Sequence, residues 1–165
     1  MKKGGKGKKF EGIIEEGFNK ITDIQFIRLK DDNRGFKGVA NPCDFLVYHK
    51  PYLYALECKS VHTNTFPFTN ITDFQWKSLL EMSEVKGVKA GVIVWFVNND
   101  ETLYLSIKLL KRIRDSGKKS IHSYPEWLEL VEAKDDWTYL VGRKKRTYFD
   151  YDMEQFLNEM EDKCW

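Results

Sequence analysis

Three charged residues, Asp44, Glu57 and Lys59, lie at one end of a predicted β-hairpin. The hairpin is predicted from two short β-rich segments, 43–48 and 52–59, on either side of a His-Lys-Pro turn. Side chains alternate between the two faces of a strand, so Glu57 and Lys59 point the same way. The short turn brings the start of the first strand beside the end of the second, which places Asp44 next to that pair. The pattern therefore predicts two carboxylates and an ammonium group at the end of an otherwise apolar hairpin.

Such a cluster is suited to binding a hard divalent cation. Two neighbouring carboxylates supply the oxygen ligands that Mg²⁺ or Mn²⁺ prefers, and the backbone carbonyl of Cys58 is a further candidate ligand. Lys59 would then lie beside a bound water and a phosphate, where it can orient the nucleophile or neutralise developing charge. The alternative is a structural ion-pair network at a sheet edge, because the spacing of Asp44, Glu57 and Lys59 is a loose motif on its own.

Hydrophobic periodicity predicts the elements that position this cluster. Residues 10–21 carry apolar side chains at helical spacing, and residues 24–29 alternate as a strand does. Thr72 is a possible N-cap of a helix that ends near Gly87, and residues 91–97 form the continuous apolar run typical of a strand buried on both faces. The order α-β-β-β-α-β predicts an α/β sandwich with a mixed central sheet flanked by helices, in which the hairpin strands lie near the middle.

The segments outside this core are predicted with less regular patterns. A further strand is expected at 102–107, followed by a short basic helix, an aromatic strand at 137–141 and a terminal helix from about Asp152. Residues 63–70 show no regular pattern.

Length and charge indicate one domain with a basic extension. The chain has 165 residues, with 42% hydrophobic and 15% aromatic residues, which is enough for a single folded domain over residues 10–165. Residues 1–9 contain five lysines, three glycines and no acid, and they predict a mobile basic arm. This arm and the basic run at 143–146 fit a solvated surface and a polyanion-binding surface equally well, since the net charge is only +2.

Several classes of protein are not supported. The longest apolar run, 90–97, is too short to span a bilayer, and the N-terminus lacks the pattern of a signal peptide. The three cysteines are widely spaced, which argues against a disulfide scaffold and a thiolate zinc site. We therefore expect a soluble cytoplasmic protein with no membrane association.

The sequence resembles a known nuclease superfamily. Pro42-Cys43-Asp44 followed by Glu57-Cys58-Lys59, within the order α-β-β-β-α-β, is similar to the PD-(D/E)XK nucleases. Over most of residues 7–121, further residues fall in the order seen in RecU-type Holliday junction resolvases, namely Gly7-Lys8-Lys9-Phe10-Glu11, Phe45, Leu56, Ser60, Phe68, Ile71, Gln75, Leu79 and Lys119-Ser120-Ile121. The resemblance implies the restriction-endonuclease-like fold of that superfamily.

The resemblance also implies roles for individual residues. Glu11, Asp44 and Glu57 match the acids that hold the metal, and Lys59 matches the catalytic lysine. Gln75 matches a glutamine close to the active site. Glu15, one turn after Glu11, is the alternative for the carboxylate on the first helix.

The function implied is metal-dependent resolution of four-way DNA junctions by paired phosphodiester hydrolysis. A homodimer fits the two symmetric strands of a junction, with the aromatic segment and the terminal helix as candidate interfaces. Such an enzyme belongs in the cytoplasm of a bacterium or of a phage-infected cell. RecU-type enzymes usually carry a long stalk before the metal-binding aspartate, whereas only residues 30–43 intervene here. The alternatives are another PD-(D/E)XK nuclease that cuts flaps, ends or duplex, and a non-catalytic DNA-binding protein.

Overall fold

A computed structural model describes residues 5–30, 40–123, 126–132 and 136–162. The helices in these ranges are α1 (Gly5–Phe18), α2 (Asp73–Ser83), α3 (Ile107–Asp115) and α4 (Met153–Asp162). The strands are β1 (Gln25–Arg28), β2 (Phe45–His49), β3 (Tyr52–Val61), β4 (Thr65–Pro67), β5 (Val88–Phe96), β6 (Glu101–Ser106), β7 (Ser120–His122), β8 (Trp137–Tyr139), β9 (Gly142–Lys144) and β10 (Phe149–Tyr151). None of the helices in the described ranges has both the length and the apolar character needed to cross a bilayer.

The central sheet has six strands in the order β1-β2-β3-β5-β6-β8. β3 and β5 are parallel, with Glu57 opposite Val92, and the other neighbouring pairs are antiparallel. Two small antiparallel sheets, β4 with β7 and β9 with β10, lie outside it. Almost every residue of β5 is buried, so this part of the sheet must be covered on both faces.

Two hydrophobic clusters provide that cover. On one face, α1 and α4 pack aromatic and aliphatic side chains such as Phe10 and Phe156 against the sheet. On the other face, α2 and α3 contribute Trp76 and Leu110 to the second cluster. β3 lies between these layers, and its carboxyl end carries the predicted charged residues. The predicted α/β fold with a mixed sheet flanked by helices is confirmed.

The first helix begins earlier than the sequence predicts. α1 starts at Gly5 and ends at Phe18, so residues 5–9 of the predicted mobile arm are helical, and residues 1–4 lie outside the described residues. Lysine is a good helix former, and extending an existing helix adds one hydrogen bond for each residue that is fixed. Lys8 and Lys9, whose side chains are exposed, therefore extend a helix that the fully buried Phe10 anchors to the core.

The prediction of no regular structure for residues 63–70 is wrong. β4 pairs with β7, with Phe66 opposite Ile121, and a short 3₁₀ helix follows at Phe68–Asn70. A strand of three residues is too short to show an alternating pattern, and its partner lies more than fifty residues away along the chain.

Candidate active site

A pocket of about 430 Å³ opens at the carboxyl end of β3. All six residues predicted to form the site contribute to its lining, namely Glu11, Asp44, Glu57, Cys58, Lys59 and Gln75. They come from four places in the chain: α1, the residue before β2, the end of β3, and the first turn of α2. The other residues that line the pocket are Gly7, Asn41, Cys43, Ser60, His62 and Asn70.

Asp44 is fixed by the end of the β2–β3 ladder. Its backbone N–H donates to the carbonyl of Leu56 (3.0 Å), and its Oδ2 accepts a hydrogen bond from the N–H of Cys58 (2.7 Å). The Asp44 carboxylate thus accepts the hydrogen bond that the N–H of Cys58 would otherwise give to a backbone carbonyl, if β2 extended further toward the N-terminus. Because backbone groups point to alternate sides of a strand, those of Leu56 and Cys58 both point toward β2. The carbonyl of Cys58 therefore lies on the same side of β3 as the Asp44 carboxylate.

Glu57 is a buried carboxylate with one unsatisfied oxygen. Only 2% of the residue is exposed. Its Oε1 accepts a hydrogen bond from Nε2 of Gln75 (2.6 Å) and lies 2.7 Å from Nζ of Lys59, which confirms that Glu57 and Lys59 share a face of β3. Its Oε2 is buried and has no hydrogen-bond partner among the described residues. Native structures rarely leave such an oxygen unpaired, and a bound cation would supply the missing partner.

Gln75 is held in place by the start of α2. Thr72 is the N-cap, and its hydroxyl accepts a hydrogen bond from the N–H of Gln75, while Oε1 of Gln75 accepts one from the N–H of Thr72. This reciprocal capping box fixes the amide, so that its remaining nitrogen faces Glu57. The Thr-x-x-Gln spacing in the sequence is the local reason for this geometry.

Arg28 on β1 is a residue of this region that was not predicted. Its guanidinium donates to Oε2 of Glu11 (2.7 Å) and to Oε2 of Glu15 (2.5 Å). Glu11 lines the pocket, whereas Glu15 is not among the lining residues. Strand alternation was the available signal, because it places Arg28 on the same face of the sheet as Phe26, which packs against α1.

The carboxylates of Glu57, which is buried, and of Asp44, which is half-buried, resist ionisation. Burial and the neighbouring charge of Glu57 raise the pKa of Asp44 to about 7. Burial also raises the pKa of Glu57, although Lys59 and Gln75 act in the opposite direction. Burial is the largest cause of both shifts, and it favours the neutral form of each acid.

The described residues contain no group of three or more histidine, cysteine or acidic side chains arranged to hold a metal. Glu11 is paired with Arg28, so it does not converge with Asp44 and Glu57 into a closed triad. The donor set still fits a hard cation, since it offers Asp44, the free oxygen of Glu57 and the carbonyl of Cys58.

The model of one protein family, described as Recombination protein U, matches residues 17–134. The matched range includes Asp44, Glu57, Lys59 and Gln75 but begins after Glu11. Among solved structures, the fold is similar to that of Hjc from Archaeoglobus fulgidus, a Holliday junction resolvase from an archaeal hyperthermophile. That similarity has a TM-score of 0.50 and 19% sequence identity, and it covers 72% of this chain and 92% of the other. No curated protein matches the sequence.

Proposed function

The chain belongs to the Recombination protein U (RecU) family of Holliday junction resolvases, and on that premise we propose that it hydrolyses four-way DNA junctions with a Mg²⁺ or Mn²⁺ ion held in the pocket at the end of β3. The family is one of endonucleases that act on branched DNA. The observation that carries the proposal is the buried Glu57 carboxylate, one oxygen of which has no partner in the described part of the chain, with Lys59 paired to it and Asp44 in the same pocket.

Oxygen donors define the metal ligands of the proposal. The ion would be held by Asp44, Oε2 of Glu57 and the carbonyl of Cys58. Glu11 would become a further ligand once its carboxylate released Arg28 and turned to the metal. A divalent ion bound there supplies an activated water for attack on the scissile phosphate and offsets the charge of the transition state.

The remaining residues position groups around that ion. Lys59, with 23% of its side chain exposed, reaches solvent at the pocket and places a positive charge where the phosphate must enter. Oε1 of Glu57 accepts the hydrogen bond from Gln75, which leaves Oε2 available to the ion. The expected products of hydrolysis carry 5′-phosphate ends.

We propose a two-fold homodimer, because a junction presents two symmetric strands for cutting. The two candidate interfaces are used within the chain itself: α4 buries Met153, Phe156, Leu157 and Met160, and Trp137 of the aromatic segment packs edge-on against Trp127. The face of the sheet that points away from α1 carries exposed apolar side chains on adjacent strands, and this face is the proposed interface. Its members are Ile27 (62% exposed), Tyr48 (48%) and Leu53 (36%).

We propose that residues 10–165 form one nuclease domain, and the packing of β10 and α4 against α1 supports this. The proposed substrate places the protein in the cytoplasm of a bacterium or of a phage-infected cell.

The test uses labelled four-way junctions, flaps and linear duplex, each with Mg²⁺, Mn²⁺ or EDTA. We expect paired symmetric nicks in junctions that are lost in EDTA and in Asp44→Asn. Asp23→Asn, which changes an exposed aspartate, is the matched control and should cleave like the wild type. Metal-dependent cutting that prefers flaps or ends would overturn the junction assignment, and binding without cleavage in either metal would overturn the catalytic one.

A further inference from the structure

A second, smaller pocket adjoins the proposed active site. Its volume is about 140 Å³, and its lining residues are Lys9, Ser60, His62, Trp95, Val97 and Thr147. Ser60 and His62 line both pockets. The two spaces are therefore neighbours at the carboxyl end of β3.

The second pocket combines an aromatic surface with a basic rim. Trp95 lies opposite Ser60 in the parallel pairing of β5 with β3, and Val97 follows the end of β5. The indole Nε1 of Trp95 is buried and has no hydrogen-bond partner among the described residues. Lys9 lies exposed on α1. Trp95 is a core residue of which 8% is exposed, and the accessible part of it lines the pocket together with Lys9. An aromatic ring and a cation at one pocket are the combination that binds a base and its phosphate in single-stranded nucleic acid.

The β9–β10 hairpin carries further positive charge in the turn that reaches this pocket. The turn that joins the two strands carries Arg146 and Thr147, and Thr147 lines the second pocket. Lys144 pairs with Asp100, and Lys145 lies 3.9 Å from Asp150. Arg146 is exposed and has no ion pair with any described residue, so its charge is available to a ligand.

The hairpin is held firmly against the core. The hydroxyl groups of Tyr151 and Thr102 are hydrogen-bonded (2.6 Å), which ties β10 to β6 of the central sheet. Phe10 of α1 lies between two rings, 5.5 Å from Trp95 and 6.3 Å from Tyr151. The position of the hairpin relative to the pocket is thus set by buried packing.

We propose that the second pocket binds the DNA nucleotide next to the scissile phosphate, with its base against Trp95 and Val97 and its phosphate at Lys9 and Arg146. The inference rests on the proposed function, because it assumes that DNA is cut in the adjacent pocket. The hairpin lies beyond the matched range 17–134, so this subsite is built partly from a segment outside the family pattern.

The first experiment measures junction binding in EDTA as a function of salt concentration. We expect Lys9→Ala/Arg146→Ala to bind about tenfold more weakly than the wild type, and the slope of log affinity against log salt to fall by about 1–2. Lys86→Ala/Lys118→Ala, which removes two charges away from both pockets, is the control and should change neither quantity to that extent.

The second experiment places 2-aminopurine on either side of the scissile phosphate. Stacking on Trp95 should change its fluorescence at one of the two positions, and Trp95→Leu should remove that change while circular dichroism shows a folded protein. If the wild type cleaves junctions but the basic double variant behaves like its control, the subsite is overturned and the proposed function stands. If the wild type does not cleave junctions at all, the proposed function itself fails.

Discussion

Two buried charged side chains on neighbouring parallel strands differ in how completely their charged groups are paired. Glu57 lies near the carboxyl end of β3, and Lys89 lies near the start of β5, with 2% and 7% of each residue exposed. Lys89 donates to the carbonyl of Met160, lies 3.5 Å from Asp136, and sits 4.8 Å from the centre of the Tyr52 ring. Among the residues that the structure describes, Glu57 has partners for one of its two oxygens only.

The difference fits the proposed function, in which Lys89 is a structural charge and Glu57 binds a metal ion. The Met160 carbonyl belongs to the last turn of α4, where helix carbonyls lack intrahelical partners and attract cations. Lys89 satisfies that carbonyl and ties α4 to the sheet. The pocket that Glu57 lines contains a second carboxylate, Asp44, and the pKa of each is raised. Burying two acids together destabilises the fold unless a cation binds there.

The largest expected effect comes from Asp44→Asn. An asparagine oxygen can still accept the hydrogen bond from Cys58, but the side chain no longer carries a charge to hold a metal. We expect cleavage to fall by about 10³-fold or more, and the free energy of unfolding without metal to rise by roughly 1–2 kcal/mol at pH 8. Cleavage rates and urea unfolding in EDTA measure the two effects.

The sign of the stability effect follows from the pKa. In the folded state the pKa of Asp44 is about 7, above its ordinary value of 3.8, so the native state binds more protons between these values. The wild type therefore loses stability as pH rises from about 4 to 7, and its deficit relative to Asp44→Asn should narrow as pH falls through that range. A variant less stable than the wild type at pH 8 would contradict the comparison.

The second effect is expected at Lys89 and on stability alone. Lys89→Met keeps an unbranched side chain, one atom shorter, but leaves the Met160 carbonyl and Asp136 without their cation. We expect the free energy of unfolding to fall by about 2–3 kcal/mol, with kcat for junction cleavage unchanged at a temperature where the variant is folded. A lower kcat in the folded variant would show that Lys89 affects the proposed active site. Lys89 would then not be purely structural, and its difference from Glu57 would disappear.

The sequence predicts one member of this comparison and not the other. Glu57, Lys59 and Asp44 follow from strand alternation and a short hairpin, which are local patterns. The partners of Lys89 lie 47 and 71 residues away along the chain, and no local pattern indicates them. The pairing of Arg28 with Glu11 depends in the same way on how α1 crosses the sheet.

The third effect concerns the pH dependence of metal binding. A metal must displace the proton that Asp44 holds below about pH 7. We expect the apparent affinity for Mn²⁺ to weaken by up to about tenfold for each pH unit below 7 and to level off above 8. Titration calorimetry of the wild type from pH 5.5 to 8.5 measures this. Affinity that is constant over the range would indicate that Asp44 is not a ligand.

The smallest effect is expected at Gln75, where positioning can be separated from helix capping. Gln75→Met removes the hydrogen bond to Glu57 and half of the capping box, whereas Thr72→Ala removes the hydroxyl that caps α2 and leaves the Gln75–Glu57 contact. Loss of the cap should lower the free energy of unfolding by about 1 kcal/mol in Thr72→Ala, with cleavage close to the wild type.

Gln75→Met should reduce kcat by about tenfold, because Glu57 is then free to turn its unpaired oxygen away from the metal. Equal loss of cleavage in both variants would mean that Gln75 acts only through the helix, and Glu57 would then be oriented by Lys59 alone.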